Sequence, residues 1–195
     1  MASALDINCV YEGWVDVGNI ELRNLMNQKG IFLDNIQCMD NWTWDNLRTI
    51  EIEDIWNELY NNRIIIMKFK SQNFFDVGCY LEKYEENNVC GFWINTKSYP
   101  ELDENVINHD NEKYYQFIFQ AIQRIKSIFS IQLKLVGIGV EMIFEYDKDI
   151  EKIIRNSHGA AAWLIQESQQ KQISIDGFGG EKSVIPSMRL LKKVQ

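Results

Sequence analysis

The stretch from residue 64 to residue 96 leaves this chain little architectural freedom. Ile65, Met67 and Phe69 alternate with Ile64, Ile66, Lys68 and Lys70. Phe75, Val77, Cys79 and Leu81 alternate through a second run, and Val89–Thr96 forms a third. A period of two puts residues i and i+2 on the same face of a strand. The links Ser71-Gln72-Asn73 and Glu85-Glu86-Asn87-Asn88 are short and polar, as hairpins require. The three runs therefore predict an antiparallel meander, onto which the rest of the chain must pack.

The flanking sequence supplies more of both element types. Leu5–Trp14 reads as a strand through Ile7, Cys9 and Tyr11, and Ile31–Met39 reads as another. Between them, Ile20, Leu22, Leu25 and Met26 fall near helical spacing, with Gly30 as a stop. Ile52, Ile55, Trp56, Leu59 and Tyr60 repeat at the helical period, which predicts a helix around 51–61 with an acidic first turn. The strongest helix spans 111–129, with Tyr114, Phe117, Ile118, Ala121, Ile122, Ile125, Ile128 and Phe129 as its apolar face. Gln132–Tyr146 reads as a long strand with Val136, Ile138, Val140, Met142 and Phe144 on one side and Leu135, Gly137, Gly139, Glu141, Ile143 and Glu145 on the other. Asp147 is placed to cap a helix over 148–157, with Gly159 beyond its end. Ala160–Gln170 suits a helix by its alanines and a strand by Trp163-Leu164-Ile165. The hydrophobic fraction of 46% is ample for a core, and with only 2 prolines there is no linker-like segment. The pattern predicts one α+β domain over residues 1–195: a mostly antiparallel sheet with helices packed on at least one face.

Side chains suited to bond-making are scarce: 2 histidines and 4 cysteines. Cys9, Cys38, Cys79 and Cys90 form no CxxC and read as reduced core residues. Gly177-Phe178-Gly179-Gly180-Glu181-Lys182-Ser183 imitates a phosphate-binding loop, but Glu181 separates the last glycine from the lysine and Pro186 follows, so a glycine-rich hairpin or loop is the better reading. Gly137-Ile138-Gly139 lacks a third glycine, which Met142 replaces, and reads as close packing on a sheet face. His109, Asp110 and Glu112 lie at a loop-to-helix junction where Asp110 or Asn111 serves as an N-cap, and His158 falls at a helix end. No catalytic, cofactor-binding or metal site emerges from these motifs. One alternative stays open: Glu141, sharing a face with Leu135 and Ile143, is the first suspect for carboxylate acid–base chemistry in a small enzyme if it is half-buried beside a pocket.

Partner-binding groups are abundant by contrast. The chain carries 6 tryptophans, 8 tyrosines and a formal charge of -8. Trp and Tyr anchor interfaces, and an acidic surface attracts basic partners. The charge is concentrated. Residues 40–62 hold Asp40, Asp45, Glu51, Glu53, Asp54 and Glu58 against Arg48, with Arg63 just outside, and residues 85–112 hold Glu85, Glu86, Glu101, Asp103, Glu104, Asp110 and Glu112 against Lys97. Free nucleic acid would be repelled by most of this surface. A basic protein is the fitting counterpart. Trp42, Trp44, Asp45, Glu53, Asp54, Glu101, Asp103 and Glu104 are accordingly the candidate partner-binding residues. At least one of the two tryptophans is also expected to anchor in the core.

Phe92-Trp93-Ile94-Asn95-Thr96, the loop with Pro100, Leu102 and Asp103, the aromatic helix Tyr114–Phe129 and the strand Val136–Phe144 resemble in texture the small immunity proteins of bacterial polymorphic toxin systems. The resemblance covers about a third of the chain and includes no diagnostic motif, so it assigns no residue a role. It implies a cytoplasmic protein that binds and neutralises a cognate toxin domain, without a cofactor. The N-terminal residues show no secretory signal, and apolar runs such as Ile64–Met67 are too short to span a bilayer. A structural, homo-oligomeric role is a third reading.

Overall fold

In the computed structural model, residues 3–13, 24, 26–28, 30–72, 75–168, 173 and 175–194 are described. Ten strands form one sheet: β1 (Ala4–Glu12), β2 (Ile31–Met39), β3 (Arg48–Thr49), β4 (Ile64–Ser71), β5 (Phe75–Lys83), β6 (Asn88–Asn95), β7 (Gln132–Ile143), β8 (His158–Gln166), β9 (Phe178–Lys182) and β10 (Met188–Lys193). Their order is β3-β2-β4-β5-β6-β1-β7-β8-β10-β9, and every pair is antiparallel. The helices α1 (Ile55–Tyr60), α2 (Glu112–Phe129) and α3 (Ile150–Asn156) accompany it, and the described residues 24 and 26–28 are helical too. The fold is α+β, and the expected meander β4-β5-β6 lies within its sheet. No helix among the described residues is long and apolar enough to cross a membrane.

Alternation along each strand sorts side chains onto two faces. Leu5, Ile7, Cys9, Met67, Cys79, Leu81, Cys90, Val136, Ile138 and Leu164 point to the first face, where Tyr115, Ile118, Phe119 and Ile122 of α2 close over them. The buried stripe of α2 follows the i, i+3, i+4, i+7 spacing from Tyr115. This corrects the expected helix face. Phe117 is exposed, while Tyr115 and Phe119, assigned no place on that face, are buried. All four cysteines are buried free thiols, and burial pushes Cys79 up to about 12, which suits inert core residues.

The second face is built differently. Trp93, Tyr80 and Trp163 are each directly opposite a glycine on the neighbouring strand: Gly78, Gly91 and Gly137. A Cβ at any of these glycines would fall within 2.0–2.5 Å of the facing ring. The glycines therefore make room for rings lying across the adjacent strand. Gly139 does the same for backbone, since a Cβ there would meet the Gly159 carbonyl at 1.9 Å.

β7 ends at Ile143, earlier than the expected Tyr146. Its register with β8 jumps between Gly139 and Ile143, and Glu141 adopts φ 48 in the left-handed region. This bulge breaks the alternation, so Met142 joins Leu135 and Trp163 on the second face instead of Val136 and Ile138 on the first. The chain then crosses the second face as the segment 144–149. α3 follows, starting at Ile150 rather than 148, because it is Asp149 whose carboxylate accepts the Glu151 N–H (2.9 Å); Asp147 accepts the Asp149 N–H one turn earlier. His158 opens β8, one residue beyond the Ser157 C-cap of α3. The Ala160–Gln170 ambiguity resolves to strand through Gln166, and the glycine-rich stretch becomes the edge strand β9 of a hairpin with β10. The helix expected around Ile20–Met26 falls largely outside the described residues.

Candidate functional site: an aromatic, acidic cleft

A cleft of about 310 Å³ opens on the second face, lined by Trp42, Tyr80, Glu82, Tyr84, Val89, Phe144, Glu145 and Tyr146. Its floor comes from β5 and β6. Tyr80 lies over Gly91, and its hydroxyl donates to Asn8 Oδ1 (2.9 Å), which fixes the ring. Two residues along, Glu82 points to the same side. One wall is the segment after the β7 bulge: Tyr146 stacks on Tyr84 with centroids 3.7 Å apart, and its hydroxyl accepts from Asn87 Nδ2 (3.0 Å). The other wall is Trp42, edge-on to Tyr80 at 5.0 Å and 88°.

Glu82 is the chemical centre of the cleft. Burial raises its pKa above the ordinary carboxylate value, and hydrogen bonds from the Tyr84 hydroxyl and the Trp42 indole N–H partly offset that rise. Both donors are neutral. Burial and the neighbouring Glu82 carboxylate also push the Tyr84 phenol upward.

Trp42 rides on a loop held by its own hydrogen bonds. Asn41 Oδ1 accepts from the Thr43 N–H (3.0 Å) and Thr43 hydroxyl (2.5 Å), while Asn41 Nδ2 donates to Asp45 (2.8 Å). The Asp40 N–H closes the loop on the Asp45 carbonyl (2.9 Å). Beneath it, Arg48 donates to Glu58 (2.6 Å), and Arg63 donates to both Glu58 and Asp40. Asp40 and Glu58, counted in the sequence as free acidity, are therefore neutralised by arginines that anchor the loop. The loop presents Trp42 and Trp44 half-exposed, at 50% and 52%. The expected core anchoring is therefore not met: neither ring is buried, and Trp42 packs against Tyr80 at the cleft.

The candidate partner-binding residues are not all brought together. Asp45, Glu53 and Asp54 are exposed and share the β2–β4 connection with Trp42 and Trp44. Glu101, Asp103 and Glu104 are also exposed, but follow β6. Ile65, just after the first connection, pairs with Leu81, whereas Asn95, just before the second, pairs with Phe75. The two groups thus leave opposite ends of the strands, about 20 Å apart at the rise per residue of a strand. Part of the second group is committed locally: Asp103 accepts from the Thr96 hydroxyl, and Glu104 accepts from Asn108 Nδ2 (2.7 Å).

Glu141 is exposed at the bulge and lines no part of the cleft. The perturbed carboxylate nearby is Asp6, raised to about 6 by burial, with the Met142 N–H (2.9 Å) opposing the shift and Glu141 adding to it. His109 and His158 are exposed, and no group of three or more metal-ligating side chains occurs among the described residues. Asn111 begins α2, but its side chain does not cap it. Instead it donates to the carbonyls of Glu101 and Val106 (3.1 and 2.9 Å), tying down the loop before the helix.

Sequence reasoning found Trp42 but missed Tyr80, Glu82, Tyr84 and Tyr146. The alternation of β5 carried a usable signal, because it sets Tyr80, Glu82 and Tyr84 opposite the core-facing Cys79 and Leu81. No protein-family model, curated protein or solved structure matches the chain. The site must be judged on its chemistry: aromatic rings and two carboxylates, Glu82 and Glu145, line one concave space, a lining suited to a positively charged group.

Proposed function

We propose that this chain is a binding protein that neutralises a basic toxin domain inside a bacterial cell, engaging it at the end of the sheet that carries Trp42 and Trp44. The observation that carries the reading is the pair of half-exposed tryptophans on a loop that its own hydrogen bonds hold in place. Rigid aromatic anchors lose little conformational freedom on binding and dominate interface energetics. Asp45, Glu53 and Asp54 are exposed on the same β2–β4 connection, and in a chain of charge -8 they would speed the approach of a basic partner. Glu101, Asp103 and Glu104, at the far end, then belong to steering rather than contact. The toxin as partner, and the cytoplasm as place of action, come from the resemblance to immunity proteins. Acid–base catalysis by Glu141 loses its premise, since that residue is exposed rather than half-buried beside a pocket.

The test is a co-expression assay. The protein captured by this chain from its native host would be expressed alone and with the chain in a standard bacterial host. Growth arrest by the partner alone, relieved by the chain and not by its Trp42→Ala/Trp44→Ala variant, is the expected result. A harmless partner, or arrest that the wild-type chain leaves untouched, would overturn the reading.

A further inference from the structure

We infer that the cleft between Trp42 and the Tyr84–Tyr146 stack seats the guanidinium of an arginine side chain presented by the protein partner, an inference that rests on the partner-binding reading above. The argument begins with a contrast between two carboxylates. Glu58, withdrawn from solvent, is met by Arg48 and Arg63. Glu82 lies within the cleft and is met by the Trp42 indole and the Tyr84 hydroxyl, both neutral. None of the described residues lining the cleft is cationic. The nearby Lys148 is directed outward to Glu85 (2.7 Å). A partly desolvated carboxylate with neutral donors alone gains most from a cation that can displace its remaining water.

The walls narrow the choice of cation. Rings of Trp42, Tyr80, Phe144, Tyr84 and Tyr146 surround the space, and aromatic faces attract a planar, weakly hydrated guanidinium more readily than a compact, strongly hydrated ammonium. A second carboxylate, Glu145, stands exposed on the rim. A volume of about 310 Å³ accommodates one long side chain and is at the small end of the range for a whole ligand. Trp42 lines the cleft and is also half-exposed on its loop, so a partner lying on that loop would have its side chains within reach.

The experiment needs no partner and so can fail on its own. The probe is N-acetyl-L-arginine N-methylamide, titrated into the full chain while the indole N–H signal of Trp42, identified by its loss in Trp42→Phe, is followed by NMR. A saturable shift is expected, with the neutral citrulline analogue binding at least about tenfold more weakly, as loss of a charge-assisted hydrogen bond implies. Glu82→Gln, which keeps an acceptor for Trp42 and Tyr84, should weaken the arginine probe by a similar factor. No saturable shift, or equal affinity in Glu82→Gln, would overturn the inference. Tighter binding of the lysine analogue would overturn the choice of guanidinium. Tighter binding of free L-arginine than of the blocked probe would overturn the partner side chain as its source.

Discussion

The two faces of the one sheet solve different problems. On the first, branched aliphatics and thiols meet the buried stripe of α2, and the space closes completely around residues such as Leu5 and Ile138, both at 0% exposure. On the second, large rings lie over glycines, and the cover is a crossover strap with the short helix α3 rather than a long helix. Branched side chains such as Leu135, Ile153 and Ile165 fill much of this face under the strap and α3, and the cleft lies where Tyr80, Glu82 and Tyr84 meet Phe144 and Tyr146. Both faces thus bury core, Leu135 and Ile153 being as closed as Leu5 and Ile138, but the larger cluster lies on the first and the cleft opens on the second. Removing bulk from the first face should accordingly produce the largest loss of stability. Ile138→Ala is expected to cost about 2–5 kcal/mol, measured by urea unfolding, with the cleft unaffected in a native-state probe titration. A loss well under about 1 kcal/mol would mean that the helix-covered face is loosely packed and that the contrast drawn between the faces is wrong.

Adding bulk probes the second face. A Cβ at Gly91 would lie 2.0 Å from the Tyr80 ring and 2.7 Å from Asn8 Oδ1. Tyr80 must then swing, and its hydroxyl bond to Asn8 breaks. Gly91→Ala is expected to destabilise by about 1–3 kcal/mol, the range for overpacking. It should also shift the Trp42 indole signal, because Trp42 packs edge-on against Tyr80. Destabilisation with an unchanged Trp42 signal would separate the floor of the cleft from its wall.

The same contrast explains what could be read from the residues in order. The meander was legible because alternation in β4, β5 and β6 is local and survives in the structure. α2 was legible as a helix, but its buried face was misjudged by the inclusion of Phe117, because a chain with apolar residues around most of a helix does not say which side the sheet will take. The Trp42 loop was legible as a candidate anchor from two tryptophans among Asn and Asp. The cleft itself was not. It depends on Tyr146 reaching Tyr84, and that depends on β7 ending at Ile143 after a bulge at Glu141. Nothing in the alternation of 132–146 announces the bulge. The pairing of Asp40 and Glu58 with arginines was hidden for a related reason: Arg63 lies outside the acidic stretch and reaches into it only once β4 is docked against β2.

A third expected effect concerns how carboxylates in the two regions respond as pH changes. Glu58 is held below its ordinary value by hydrogen bonds from Arg63 and Arg48, so its contribution is present at neutral pH and is lost as pH falls. Asp6, on the second face, runs the other way. Burial lifts it from 3.8 to about 6, with Glu141 adding to the lift against the Met142 N–H. A folded value above the unfolded one means that the protonated form suits the native state. The stabilisation is therefore complete below the unfolded value and is lost as pH rises through about 6. Asp6→Asn keeps an acceptor for the Met142 N–H but cannot ionise. Its melting temperature, relative to the wild type, should rise between about pH 4 and pH 7 and level off above that. Glu141→Gln in the wild-type background should trim the same slope slightly, since it removes only the lesser charge–charge contribution from an exposed neighbour. A flat difference between Asp6→Asn and wild type would show Asp6 ionising as freely folded as unfolded. The bulge would then leave that carboxylate open to water, and the second face would be looser around β1 than the ring-over-glycine packing implies.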